Sequence, residues 1–169
     1  MPAMTTVADL MAIAARTAPK TKGQDFVVVE VIEGEAVQAL GQAMIDRGKR
    51  IGNAEFERDG KNVLNSEAVV LIGIKDATPA GLNCGACGNE KCLRINTLAT
   101  EFKGPQCPYR VLDMGLALGS AVKIASIMNV DNRIMYRVGT IGREAKLIDA
   151  DFVMGIPLSA TGKSPYFDR

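Results

Sequence analysis

Three of the chain's four cysteines fall within nine residues, CGACGNEKC (84–92), and the fourth, Cys107, follows after fourteen more, directly before Pro108. The spacing is C-x2-C-x4-C-x14-C. Four thiolates can satisfy a metal centre, and the short first interval lets two adjacent backbone turns offer sulfur to a common point. The chain contains no histidine at all. That excludes a Ser-His-Asp triad, a Cys-His nucleophile and any His-ligated metal. Chemistry here has to come from thiols, carboxylates, lysines, tyrosines, backbone groups or a bound cofactor.

Glycine follows two of these cysteines, at Gly85 and Gly88. Glycine lets the chain wrap tightly and bares backbone N–H groups that can hydrogen-bond to sulfide. Pro108 fixes φ beside Cys107 and brings no competing donor, and a Cys-Pro pair also closes bacterial ferredoxin motifs. An iron–sulfur cluster, most simply of the 4Fe-4S type, is the reading favoured by this pattern. A four-thiolate zinc site is the runner-up, although zinc ribbons usually pair two C-x2-C knuckles. Two disulfides conflict with a reducing compartment, and a thioredoxin-like Cys84/Cys87 pair leaves Cys92 and Cys107 without a role.

The compartment is inferred from what the sequence lacks. "MPAMTTVADLMAIAAR" has no basic n-region and carries Asp9 inside its apolar run, so no secretory signal is read there. The longest apolar stretch, 114–130, contains Lys123 and is short for a bilayer span. A cytoplasmic protein that does not enter membranes is the expectation. With 20 basic and 19 acidic residues, 5% aromatics and no Trp, nothing suggests a nucleic-acid surface. At 169 residues and 47% hydrophobic content, a single globular domain is expected over 1–169.

Hydrophobic spacing predicts a helix over 4–18 with Thr5 or Thr6 as N-cap, stopped by Pro19, then a loop. "FVVVEVI" (26–32) reads as a strand buried on both faces, and "EAVVLIGIKD" (67–76) as a second. Between them lie a helix over 34–50 and a connection over 51–66 with some helix near "NAEFERDG". Residues 79–108 form an insertion between the second strand and a long helix over 109–129, whose Gly115, Ala117, Gly119 and Ala121 permit close packing. "NRIMYRVGT" (132–140) and "DFVMGIPL" (151–158) read as strands around a short helix near 142–149, before a loop-like tail. This order implies α/β or α+β architecture with one mixed sheet covered by helices. In the long helix, Asp113 suits the dipole of the first turn, Tyr109 either shields a centre at Cys107 or anchors the helix, and Met114 and Met128 read as core. Neither "TIGREA" nor "SATGKSP" makes a Walker loop.

"CGACGNEKCLRINTLATEFKGPQCP" resembles the 4Fe-4S domain of corrinoid iron–sulfur proteins and of electron-transport complex B subunits, which open C-G-x-C-G-x-x-x-C and end in a distal Cys-Pro. The resemblance implies that Cys84, Cys87, Cys92 and Cys107 ligate one cluster. "IAARTAPKTKGQDFVVVEV" resembles the nitroreductase segment in which an Ala-Pro turn leads through a flavin-contacting loop into a strand. "DMGLALGSAVKIASIMNV" is similar to that family's central helix and "DFVMGIPL" to its late strand. The whole chain resembles uncharacterised prokaryotic ferredoxin-domain proteins on a nitroreductase-like scaffold. That implies an α+β fold, FMN as a possible second cofactor, and a homodimer with flavin at its interface.

In the flavin loop the Ser usual after Ala-Pro is Lys20, so the binding candidates here are Lys20, Lys22, Gly23 and Gln24. They form either an anion-binding cradle of cations and backbone amides or a solvated loop that holds two lysines. Three functions follow as expectations. One is electron transfer through an iron–sulfur cluster, to a redox partner protein or a small-molecule carrier. Another is an FMN-dependent reductase with the cluster as electron inlet. The third is a zinc-stabilised binding module without redox chemistry.

Overall fold

The computed structural model describes residues 2–92 and 98–167. Residues 93–97, inside the expected insertion 79–108, and the end of the tail lie outside the described residues. Four strands form the main sheet in the order β1-β2-β6-β5: β1 Val27–Glu33, β2 Ala68–Ile74, β5 Asp131–Asn132 and β6 Phe152–Ser159. Helices α1 Pro2–Thr17 and α4 Pro108–Ile127 cover one face; α2 Glu35–Ile51, α3 Ala54–Leu64 and α5 Tyr136–Glu144 cover the other. A hairpin of β3 (Leu98–Ala99) and β4 (Lys103–Gly104) stands apart from the sheet.

The sheet is antiparallel at each of its pairings, where the sequence pattern suggests a mixed one. The reason lies in what joins β1 to β2. A single crossover helix returns the chain to start a parallel strand, whereas the α2–α3 pair goes out and back and reverses it. The hinge of that pair is explicit: Asn53 caps α3 by accepting from the N–H groups of Glu55 and Phe56, so the expected connection 51–66 is mostly helix.

Burial on both faces belongs to β2 rather than β1. Every residue of β2 is buried: Ala68, Val70, Ile72 and Ile74 point into the α1/α4 layer, Val69 and Leu71 into the α2/α3/α5 layer. Each fully buried side chain of this size contributes about 1.5–3 kcal/mol. β1 is an edge strand, with Glu30 and Glu33 exposed and Val27 and Ile32 buried. α1 and α4 pack through Met4, Ala8, Met11 and Ala15 against Ala117, Ala121 and Ala125. Gly115 and Gly119 are not part of that contact; they lie on the outer face of α4 with nothing within 4 Å of an added Cβ. Met114 is core, but Met128 is exposed at the end of the helix.

Two further elements differ from the pattern. Thr5 and Thr6 are not caps, because α1 already begins at Pro2, a residue whose missing N–H costs nothing in a first turn. The expected strand 132–140 shrinks to β5, and α5 starts at Tyr136 instead of near 142. Gly139 explains the change: a Cβ there would lie 2.1 Å from the Val153 carbonyl oxygen, so its absence lets α5 rest directly on β6. Among the described residues, no helix is long and apolar enough to cross a membrane.

Candidate metal centre

The cysteine segment leaves β2 through Lys75 and Asp76 and turns back on itself twice. Gly85 and Gly88 both have positive φ, +73° and +82°, and the Gly88 N–H donates to the Gly85 carbonyl at 2.9 Å. Any other residue would strain that turn, so the glycines after Cys84 and Cys87 set the path of the loop. Asn83, also left-handed at φ 48°, closes the segment. Its N–H donates to Cys92 Sγ at 3.2 Å, and its Oδ1 accepts from the Cys92 N–H at 3.0 Å. Asn89 Nδ2 donates to Cys87 Sγ at 3.5 Å. This side-chain bond, aided by the Asn89 backbone, lowers the Cys87 thiol below its ordinary pKa.

Cys107 arrives from the other side. It is the N-cap residue of α4 with Pro108 at the first turn, and its carbonyl accepts from the N–H groups of Arg110 and Val111. No side-chain capping bond uses its sulfur. A thiolate there lies at the positive end of a 20-residue helix dipole. All four cysteines are free, and all four line one cavity of about 70 Å³ together with Pro79, Gln106, Lys103 and Asp151. Cys84 and Cys87 are exposed, Cys92 and Cys107 half-buried. Among the described residues, no three His, Cys, Asp or Glu are drawn tightly enough to clasp a single metal ion. The donor set still fits a thiophilic centre: four free sulfurs around one cavity, two of them receiving N–H donors.

The far arm of the insertion is pinned to the scaffold. Phe102 packs edge-on against Phe152 and Tyr136, with ring centroids 4.8 and 5.7 Å away. Arg143 donates to the Glu101 carbonyl at 3.0 Å and to the Ala150 carbonyl at 2.9 Å. The Lys103 N–H donates to the Asp151 carbonyl at 2.9 Å, and its ammonium meets Asp151 Oδ1 at 2.7 Å.

A buried cation joins the cysteine helix to the loop after α1. Arg110 is fully buried and donates to the Thr78 and Thr21 carbonyls, to Asp113 Oδ2 and to Gln24 Oε1, with its guanidinium 4.7 Å from the Phe26 ring centroid. Asp113 in turn accepts from the N–H and Oγ1 of Thr21 at 2.8 and 2.7 Å. Because α4 starts at Pro108, Asp113 lies past the first turn where the dipole would favour it, and it is half of a buried ion pair with Arg110. Nothing in the sequence singles out Arg110 beyond a cation three residues past Cys107 and three before an acid, in a mostly apolar helix.

The four candidates of the 20–24 loop are placed differently from one another. Lys20 turns back to the carbonyls of Arg16 and Ala18 and lies 3.8 Å from Asp25, so it caps the end of α1. Gln24 is held by Arg110. Lys22, with left-handed φ 58°, and Gly23 are exposed, and the Lys22 ammonium lies 3.8 Å from the Cβ position of Gly81 in the cysteine segment. The structure therefore brings Lys22 beside Gly81 at the start of the insertion and leaves Lys20 and Gln24 engaged within the protein. Tyr109 is half-buried in the first turn of α4.

Residues 103–169 match a protein family described as "uncharacterized protein containing a ferredoxin domain". Of the four cysteines, Cys107 lies within that match and the other three precede it. A protein of Archaeoglobus fulgidus, itself described as uncharacterized, is 45% identical over 163 residues, covering 95% of this chain and 88% of that one. The fold is that of the nitroreductases. An FMN- and NADPH-dependent nitroreductase, NfnB, derived from a sphigopyxis strain superposes with TM-score 0.62 at 13% identity, over 95% of this chain and 81% of its own. A nitroreductase with bound FMN from Desulfitobacterium hafniense gives 0.56 at 12% identity, over 97% and 82% of the two chains.

Proposed function

The chain belongs to the family of proteins described as containing a ferredoxin domain, and from that premise we propose that it is an iron–sulfur protein that transfers electrons. The ligands are Cys84, Cys87, Cys92 and Cys107, carried by the segment 79–108 within a single domain. The observation that carries this reading is their convergence: four free cysteines, separated by up to 23 positions, line one cavity. A bound 4Fe-4S cluster supplies one-electron redox chemistry at a potential set by burial, charge and hydrogen bonds to sulfur.

The chain's own residues do the rest. Gly85 and Gly88 shape the turn that presents Cys84 and Cys87, and Asn83 holds Cys92 across the mouth of the segment. Asn89 and the start of α4 stabilise negative charge on Cys87 and Cys107. Arg110 fixes the first turn of α4 to Thr78, so both arms of the segment approach the cavity from anchored positions. In the cytoplasm, where thiols stay reduced, such a site would exchange electrons with a redox protein or a small-molecule carrier.

Anaerobic purification tests the reading. The account expects brown protein with broad visible absorbance, and Cys92→Ser should lose the metal. Colourless protein loaded with zinc would replace it with a structural metal site, and unchanged metal content in Cys92→Ser would refute the ligand set.

A second reading, an FMN-dependent reductase fed by the cluster, is favoured by one observation: Lys22 stands exposed beside Gly81 of the cysteine segment, where an anionic flavin phosphate would meet its ammonium. Yellow flavin released on denaturation is its test. A second copy of the chain is also proposed as a partner, docking on the outer face of α4, where Leu112 and Leu116 are exposed beside Gly115 and Gly119.

A further inference from the structure

Beside the cysteines, the cavity is walled by two charged side chains from distant parts of the chain, Lys103 on β4 and Asp151 at the foot of β6. They are not a loose surface pair. Asp151 is nearly buried, with 11% of its side chain exposed, and both carboxylate oxygens are engaged. Oδ1 meets the Lys103 ammonium at 2.7 Å, and Oδ2 accepts from the Asp76 N–H at 2.8 Å. The backbone repeats the link, Lys103 N–H to Asp151 carbonyl at 2.9 Å. The Asp151 carboxylate is therefore held at the wall by two bonds, and the Lys103 ammonium is held there by its pairing with that carboxylate.

We infer that Lys103 and Asp151 set the reduction potential of the centre held by the four cysteines, Lys103 raising it and Asp151 lowering it. The inference rests on the iron–sulfur reading proposed above. Reduction brings one electron from an external one-electron reductant into the cavity. No covalent bond to either side chain forms or breaks, and no proton leaves either one. The added negative charge is stabilised by a fixed cation in the wall and opposed by a fixed anion. The sign of each contribution follows from charge alone and needs no distance to the centre. The size does depend on screening, and because 44% of the Lys103 side chain is exposed, its contribution shrinks as ionic strength rises. Lys75 with Asp149 supplies the internal control, an ion pair one strand-end away whose members do not line the cysteine cavity.

The test is a set of dithionite titrations, followed by visible absorbance and EPR, on full-length protein reconstituted anaerobically with iron and sulfide. Lys103→Gln should lower the midpoint potential and Asp151→Asn should raise it, both with wild-type iron content. The double variant should lie between them, Lys103→Arg should restore the wild-type value, and Lys75→Gln should shift it less than Lys103→Gln does. Iron-loaded variants with unmoved potentials, or with shifts of the same sign, would overturn the inference and leave the iron–sulfur reading intact. A Lys75→Gln shift as large as that of Lys103→Gln would overturn it too, by reducing Lys103 to one surface charge among several. Wild-type protein that takes up no iron would sink the iron–sulfur reading first and this inference with it.

Discussion

Replacing Arg110 with methionine is the most informative single change to the scaffold. The guanidinium is fully buried and donates to three neutral acceptors, the Thr78 and Thr21 carbonyls and Gln24, besides pairing with Asp113. Three lost hydrogen bonds at about 0.5–1.5 kcal/mol each cost about 1.5–4.5 kcal/mol. Removing one member of a buried pair costs about 3–5 kcal/mol in all when the remaining charge has no other partner. Asp113 keeps two donors from Thr21, so the low end of that range applies. The methionine stem recovers some packing, and the expected loss is about 3 kcal/mol, a large share of a typical domain stability. With a urea m-value near 2 kcal/mol/M, this is a midpoint shift of about 1.5 M, read by circular dichroism. In a cycle with Asp113→Asn the double variant should lose about 1–2 kcal/mol less than the sum of the singles. A loss below about 1 kcal/mol for Arg110→Met, or strict additivity with Asp113→Asn, would refute the view that this pair locks the 20–24 loop to the cysteine helix.

Three other outcomes are expected. Gly139→Ala puts a methyl group against the Val153 carbonyl, where backbone has to move, and should cost about 1–3 kcal/mol in a thermal melt. Burial raises the pKa of the Tyr166 phenol above its usual value of 10.0, against a hydrogen bond with Ser66 that lowers it. The folded state therefore keeps a proton that the unfolded chain releases, and stability should be intact below about pH 10 and fall above it, a slope that Tyr166→Phe should flatten in denaturant titrations. Leu112→Lys should leave the fold intact by circular dichroism and make the chain monomeric by light scattering if the outer face of α4 is the site of self-association.

How much of this could be read from the residues follows from the range of the interactions. The cysteines were legible because chemistry-bearing residues at short spacing declare themselves without knowledge of the fold. The nitroreductase-like scaffold was legible through α1, α4 and β6, whose patterns are long. What escaped depended on position in space. "FVVVEVI" looks more apolar than an edge strand needs, and nothing local says that β2, not β1, lies in the middle of the sheet. "NRIMYRVGT" has strand-like content, yet Gly139 lets it lie as a helix on β6. Arg110 and the Lys103–Asp151 pair draw their meaning from partners 32 to 89 residues away, at Thr78, Gln24, Thr21 and across β6. Such pairings have no local signature in one sequence.

The central claim, that four cysteines hold a redox-active iron–sulfur centre, is tested most directly by iron and sulfide analysis coupled to EPR on anaerobically purified protein before and after dithionite. The account predicts roughly four irons and as many sulfides per chain, with a paramagnetic signal that appears on one-electron reduction. Stoichiometric zinc, no acid-labile sulfide and no signal on reduction would contradict it.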